Sequence, residues 1–431
     1  MEQYLPIPAS EREYLRELAK KQLEYSKLPV MAERERLWFL HNRLEGTRPM
    51  VVMEEGTFVK EILPPQRCVH PAAVRMEQQL SQVIAAYETF DDDKVVPDFF
   101  PVYFDIKTEI LGLARKRTIA EEGLGFHIEP VFQTLEEGLP LIKPSVYSYD
   151  RDKTTAYEKM VQDVLGDILP VIKKNSFNHW FTAPTQHMVE IMGMENMYCA
   201  MMNESDNFRK FMDLLTDNII QCLRWQEEQG LMLLNNGNDY MGSGSYCFSD
   251  ELFTSGAAGT VCSRDTWGHI NSQESIGISP DQFNEFIFPC YEKLAREFGL
   301  VYYGCCEPVH AYWDKSLSRL PNLRKISVSP WCDEAFMAER LAEHRVQCPA
   351  GRQAEPGKKI IYSRKPSPNF LGIKAAFDEA AFTAYIKNTA TLLKNRVKAE
   401  FIFRDIYTLH GNMEKVRRAV DITRAIAETM Y

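Results

Sequence analysis

Asp281 to Gly299, DQFNEFIFPCYEKLAREFG, runs straight into Leu300-Val301-Tyr302-Tyr303-Gly304-Cys305-Cys306-Glu307-Pro308. The first part carries the pattern of a helix and ends on a glycine that can close it. The second is a short apolar run, rich in β-branched and aromatic residues, that stops at glycine and sulfur, as a buried strand does. The same juncture recurs along the last two hundred or so residues, with stops at Asn235-Asn236, Arg264-Asp265, Ser329-Pro330-Trp331, Arg364-Lys365 and Arg404-Asp405. Strand followed by helix, repeated, predicts a parallel sheet with helical crossovers. Closed into a wheel, such strands bring all their carboxyl ends to one face, where residues distant in sequence share a cavity. The expected fold is therefore α/β, a (β/α)8 TIM barrel with an N-terminal helical extension. An open doubly wound sheet is the competing architecture, but no Gly-rich dinucleotide turn follows an early strand.

Outward from that juncture, the pattern predicts a helix from Asp206 to Gly230, a buried strand at Leu231-Met232-Leu233-Leu234, and strands at Leu323 to Val328, Lys359 to Tyr362 and Glu400 to Phe403. Helices are expected at Asp333 to Glu343, Phe377 to Lys394 and Asn412 to Thr429. Towards the N-terminus, Ser10 to Leu44 reads as a helical arm, Pro49 to Met53 as the first strand, Gln78 to Tyr87 as a helix and Phe99 to Ile106 as a second strand. Residues 1–48 are thus a helical arm and 49–431 a single barrel. Periodicity fades between Gly123 and Asp152, where Gly and Pro accumulate, and this stretch reads as an insertion or loop.

Composition limits the function. The 431 residues are 45% hydrophobic and 26% charged, with 50 Lys plus Arg against 60 Asp plus Glu, a net charge of -10. An ordinary globular enzyme with an acidic surface fits this, and nucleic acid or an anionic membrane as main partner does not. No apolar run is long enough to span a bilayer, and Met1 to Leu28 lacks the uninterrupted apolar core of a secretory signal, so a cytoplasmic location is expected. The ten cysteines show no framework spacing and are expected as thiols or ligands in a reducing compartment.

Three groups carry candidate chemistry. Cys305, Cys306, Glu307 and His310 supply the sulfur, carboxylate and imidazole donors that zinc takes. Neighbours on a strand face opposite ways, so both thiols can share one ion only if the strand has ended, which Pro308 favours. Packed core thiols with a surface histidine are the competing reading. In the second group, Trp267 precedes Gln273 and Glu274; Glu274 sits in a loop before the helix and can serve as acid, base or metal ligand, or simply as a surface or capping residue. Trp267 can wall a substrate pocket or fill core, and Asn236 lies in a turn-rich polar loop able to hydrogen-bond a ligand. The third group, Arg364-Lys365 and Arg404-Asp405, closes strands with charges whose simplest role is to pair internally. His127, His179, His187 and His410 stand alone and read as structural.

The runs Glu33 to Pro49, Asp265 to Pro280, Tyr303-Gly304-Cys305-Cys306-Glu307-Pro308, Ser327 to Trp331, Arg364 to Pro368 and Arg404 to Thr408 resemble the uroporphyrinogen decarboxylase-like superfamily, nearest its corrinoid-linked methyltransferase branch with the anaerobic O-demethylase components. The resemblance implies a (β/α)8 barrel and zinc-assisted methyl transfer between a small methylated, methoxylated substrate and a separate corrinoid protein that carries cobalamin. It implies Glu274 and Glu307 as catalytic, Asn236, Trp267, Gln273 and Trp331 as substrate-binding, and Cys305, Cys306 and His310 as metal ligands. A homodimer is compatible with it. Two departures stand out. The Met-Arg-Gln-Ala-Gly-Arg run that holds porphyrinogen carboxylates is missing, so porphyrinogen decarboxylation is not expected. Where the zinc enzymes carry His-x-Cys, this chain has Tyr303-Gly304-Cys305. The metal then rests on Cys305 or Cys306 with Glu274, Glu307 or His310, or is absent. Two alternatives remain: a metal-free lyase or decarboxylase gripping a carboxylate with Arg264, Arg364 or Lys365, and a non-catalytic partner that docks a corrinoid protein.

Overall fold

Short apolar runs of the sequence become the strands of one parallel sheet in the computed structural model, which describes residues 6–119, 126–252, 260–344 and 360–431. We number the parallel strands β1 (Met50–Met53), β2 (Phe100–Tyr103), β3 (Val171–Lys174), β4 (Trp267–Ile270), β5 (Leu300–Tyr303), β6 (Leu323–Val328), β7 (Ile361–Arg364) and β8 (Ala399–Phe403). Six of them form a sheet in the order β1-β8-β7-β6-β5-β4, every pair parallel. All six are buried along their whole length. Burial on both faces is why they read as continuous rather than alternating apolar runs. β2 and β3 form a separate parallel pair.

Side chains, rather than strands, occupy the two edges of the six-stranded sheet. On β1, the Asp93 and Asp92 carboxylates accept the backbone N–H groups of Val51 and Met53 at 2.7 Å each. On β4, the Asn235 amide mimics a neighbouring strand, donating to Trp267 O at 3.0 Å and accepting from Trp267 N at 2.9 Å. Unpaired strand edges invite further pairing, and these contacts satisfy them locally. The fold is thus α/β with a parallel sheet, and its hydrogen-bonded ladder runs from β1 to β4 without joining end to end.

Helices at Pro71–Phe90, Ser205–Glu228, Glu334–Glu343, Glu379–Leu393 and Glu414–Ala427 follow the expected strand-helix alternation. Asp333 and Asp378 cap two of them, accepting from Phe336 N and Ala381 N. Glu414–Ala427 buries Val416, Ala419, Val420, Thr423 and Ala427 along one stripe, the spacing of a helix laid on a sheet.

Several expectations need correction. The arm is two helices, Ala9–Ser26 and Pro29–Asn42, because Pro29 at the first helical position starts a new one. Leu231 to Leu234 forms no strand; its apolar side chains flank the polar loop that supplies Asn235. Arg264 and Asp265 precede β4 instead of ending a strand, lying in the turn Ser263–Asp265. In the described part of the insertion expected at 123–152, Phe126–Glu129 pairs Lys116–Ile119 and Val146–Tyr149 pairs Ile106–Glu109, both antiparallel. Lys359 and Cys348 lie outside the described residues.

Candidate functional site

The carboxyl ends of the sheet strands assemble the site. After β5 the chain must leave the ladder at once, and Gly304 does so with φ +98, where a Cβ would stand 3.1 Å from Ser327 Cβ. The turn that follows carries Cys305, Cys306 and Glu307. Glu307 is fully buried and points back at the backbone, its Oε1 accepting from Ser272 N at 3.0 Å and its Oε2 from Cys305 N at 2.7 Å. It therefore clasps the end of β4 to the end of β5. Burial pushes its carboxyl up, against the pull of those amides.

Cys305 and Cys306 place their sulfurs 3.4 Å apart. Arg404, from the end of β8, sets Nη1 3.5 Å from Cys305 Sγ and 2.7 Å from Ser243 Oγ. Its Nε pairs with Glu54 at 3.2 Å and Asp405 at 3.3 Å, and its guanidinium lies 5.9 Å from the Trp180 ring centre. Asp405 Oδ2 is 3.5 Å from Cys306 Sγ. The hydrogen bond from Cys306, aided by the Arg404 charge, pulls the Cys305 thiol below the usual range; Cys306 is pushed up by the same contact and by burial.

Beside this cluster opens a cavity of about 880 Å³. Gln273 and Glu274 reach it from beyond β4, Cys306 and Glu307 from β5 and Trp331 from β6. Trp180 and Glu190 line it as well. Glu274 is 7% exposed, and its Oε2 accepts from Thr185 Oγ1 at 2.8 Å. Burial raises its carboxyl, the largest influence on it, and the neighbouring Glu307 adds to the rise. Among the described residues, the cavity's ionisable lining is Glu190, Glu274, Glu307 and Cys306, with no lysine or arginine. A second cavity of about 440 Å³ lies by β1, bordered by Glu54 and Lys94, and none of the expected site residues lines it.

In comparisons with known proteins, no family model and no curated protein matches this chain. Among the solved structures similar in fold is a methyltransferase from Methanosarcina mazei, 11% identical, with a TM-score of 0.50 over 90% of this chain and 98% of that one. At that identity the likeness speaks for the fold.

Of the expected site residues, Gln273, Glu274, Cys306, Glu307 and Trp331 line the one cavity, with Cys305 directly behind Cys306. Trp267 does not. It begins β4, at the opposite end of that strand, and is buried against Met241, Cys247, Leu300 and Tyr302, with Lys325 Nζ 5.7 Å from its ring centre. Asn236 does not line the cavity either; its carbonyl accepts from Ser249 N in the loop. Trp267 starts β4 because Arg264-Asp265 precedes that strand, and Asn236 follows Leu231 to Leu234, which forms no strand.

The zinc donors expected from the sequence do not fit an ion. Glu307 has each carboxylate oxygen on a backbone amide. His310 accepts from Asp333 N at 3.3 Å through Nδ1, and its ring meets Phe336. The thiols face each other, Arg404 and Asp405. Among the described residues no group of three or more His, Cys, Asp and Glu side chains is disposed to hold a metal. Arg404 and Asp405, read from the sequence as strand-closing charges, pair with each other at 3.3 Å and also reach the two thiols, whereas Trp180 and Thr185 were not singled out. Asp405 holds its place with φ +59, an uncommon conformation for a residue with a side chain.

Beneath the rim, the sheet is filled by a buried polar chain. Lys365 Nζ donates to Tyr302 Oη at 2.5 Å and Ser363 Oγ at 3.0 Å; Ser363 donates to Glu400 Oε1 at 2.6 Å. Glu400 Oε2 also meets Lys325 Nζ and His41 Nε2, each at 3.1 Å. The carboxylate-gripping alternative loses its cations here. Lys365 is committed to this chain, Arg364 to Val328 O, Ser329 O and Glu334, and Arg264 is exposed on the turn before β4.

Proposed function

We propose that the chain moves a methyl group between a small methylated substrate bound in the 880 Å³ cavity and a corrinoid protein docked over its mouth, on a barrel closed by its eight parallel strands. The observation that carries this reading is the cavity itself, where the buried carboxyl of Glu274, bonded to Thr185 and not tied to two backbone amides as Glu307 is, faces a space lined by Trp180 and Trp331 and, among the described residues, by no cationic side chain. The fold shared with a protein described as a methyltransferase supports it. So do the exposed apolar residues at the rim: Trp331 is 72% exposed and Ile276 55%, both on the cavity wall, a surface suited to a protein partner.

A methyl ether resists cleavage because its oxygen must take up negative charge as the methyl leaves. A proton donor positioned at that oxygen stabilises the developing charge. Glu274 has the requisite raised carboxyl, held by Thr185 on one oxygen. Glu307 acts by position, fixing the two strand ends from which Glu274 and Cys306 project. Trp180 and Trp331 exclude water and hold an apolar or aromatic substrate. Cobalamin carried by the partner supplies the group that accepts or gives the methyl. No step is routed through zinc.

The test is methylcobalamin formation by the full chain with a corrinoid protein and a panel of methoxylated and methylamine-type compounds. Product from at least one compound, lost in Glu274→Gln, is expected. Tight partner binding without product across the panel would replace this reading with docking alone. Dialysis against a chelator leaves turnover unchanged if the donor geometry is right.

A further inference from the structure

We propose that Cys305 and Cys306 form a redox-sensitive modification site, closing into a disulfide between adjacent residues when a low-molecular-weight disulfide enters the cavity and reopening with a thiol reductant. The two sulfurs already stand 3.4 Å apart. A disulfide needs about 2.05 Å, so closure asks for a short approach of two side chains. Access and charge are divided between the two sulfurs. Cys306 is half-buried on the wall of the 880 Å³ cavity, where a small reagent can reach it. Cys305 is 3% exposed and sits behind it with the Arg404 guanidinium 3.5 Å from its sulfur, a cation that favours the attacking thiolate.

The chemistry balances as two exchanges. Cys306 passes its proton to the Cys305 thiolate 3.4 Å away and attacks one sulfur of the small disulfide, breaking that S–S bond; a mixed disulfide forms and the first small thiol leaves as its thiolate. Cys305 sulfur then attacks Cys306 Sγ and expels the second small thiol, which takes the proton from Cys305. Two protein thiols have lost two electrons, and one small disulfide has become two thiols.

Reversibility follows from the covalent geometry. Neighbouring Cα atoms are about 3.8 Å apart across a trans peptide, inside the roughly 4.4 Å lower bound of ordinary disulfides. Such a bond is strained and readily reduced, which suits a switch and not a structural staple. The exclusion of Glu307 and His310 from a metal set points the same way, since it leaves the sulfurs to each other. Closure would remove the Cys306 thiol from the cavity wall and draw it away from Asp405.

The inference does not depend on methyl transfer, and its readout is mass rather than turnover. The purified full chain is treated with oxidised glutathione, alkylated in denaturant and digested. The peptide holding both cysteines is expected to lose two hydrogens and resist alkylation, and dithiothreitol should restore it. Cys305→Ser should stop at a glutathione adduct on Cys306, and Cys306→Ser should leave Cys305 alkylable. Cys332→Ser, removing a buried thiol that contacts Ser329 Oγ at 3.6 Å, should behave as the unaltered chain. Thermal melts of each variant confirm folding, and the unaltered chain carries the test if one does not fold. Full alkylation of both cysteines after treatment, a stable glutathione adduct on Cys306 in the unaltered chain, or protection by stoichiometric bound zinc would each overturn the proposal.

Discussion

Asp405 Oδ2 stands 3.5 Å from Cys306 Sγ, across 99 residues of chain, and holds this place with φ +59. Arg404, its neighbour, reaches the other thiol, so one strand end sets an anion against Cys306 and a cation against Cys305. The pair therefore has one sulfur made ready to lose its proton and one made to keep it. Two such close groups titrate as a unit.

Arg404→Met should raise the pH at which the pair first ionises by roughly 1 unit or more, the usual scale of a close opposite charge. Asp405→Asn should move ionisation the other way, since it removes a negative neighbour. Thiolate absorbance in the ultraviolet, followed against pH with Cys305→Ser/Cys306→Ser as blank, reads both. Equal titrations in all three proteins would mean the Arg404 contact has no electrostatic weight.

Glu274 offers a pH test of the proposed acid. Its carboxyl is raised by burial, so the protonated form survives above the ordinary carboxyl range and turnover should fall as pH rises through that raised value. Thr185 donates to Glu274 Oε2, a bond that favours the charged form, so Thr185→Val should shift the falling limb to higher pH. Glu274→Gln should abolish the limb and lower kcat by about 10²–10⁴-fold, the typical range for a general acid. A limb that persists in Glu274→Gln would assign the proton to another group.

How far the sequence could be read depended on whether the signal was local. β5 and β6 were legible to the residue because apolar runs bounded by Gly304 and Ser329 state both ends. The cluster Cys305-Cys306-Glu307 was legible because its members are adjacent. β4 was displaced because Trp267-Gly268-His269-Ile270 reads weakly as a strand, and its burial becomes visible only once β5 lies beside it. Asn235 was noticed as a turn residue, yet its work is to imitate a strand edge. Trp180 and Thr185 come from a segment with no motif; only folding carries them to Gln273 and Glu274. The zinc donors were legible by type, but residue type says which donors are present and not which hydrogen bonds hold them in the fold.

The buried Lys325–Glu400 pair predicts a stability effect separate from activity. Both side chains are 0% exposed, and His41, Ser245 and Ser363 also contact the carboxylate. Glu400→Gln leaves an ammonium buried beside Trp38 and should cost about 3–5 kcal/mol in urea unfolding. Adding Lys325→Met should recover part of that loss, because it removes the stranded charge. A double variant no more stable than Glu400→Gln would show that Lys325 carries no unpaired penalty.

Lys365 gives the opposite kind of signature, a charge the fold disfavours. Burial brings its ammonium down from 10.5 to about 7, although Glu400 pulls it upward. Between those two values the unfolded chain binds more protons than the folded one, so stability must climb as pH rises from about 7 to 10.5 and sit at its lowest, for this group, below that window. Lys365→Met removes the titrating group while Tyr302 Oη and Ser363 Oγ, 2.8 Å apart, keep each other satisfied. Unfolding free energies of the two proteins should therefore diverge with pH in a defined sense. Relative to the variant, the unaltered chain should gain stability steadily across the window and be flat on its acid side. Parallel curves would mean that Lys365 ionises at its ordinary value and that water reaches it beneath the rim.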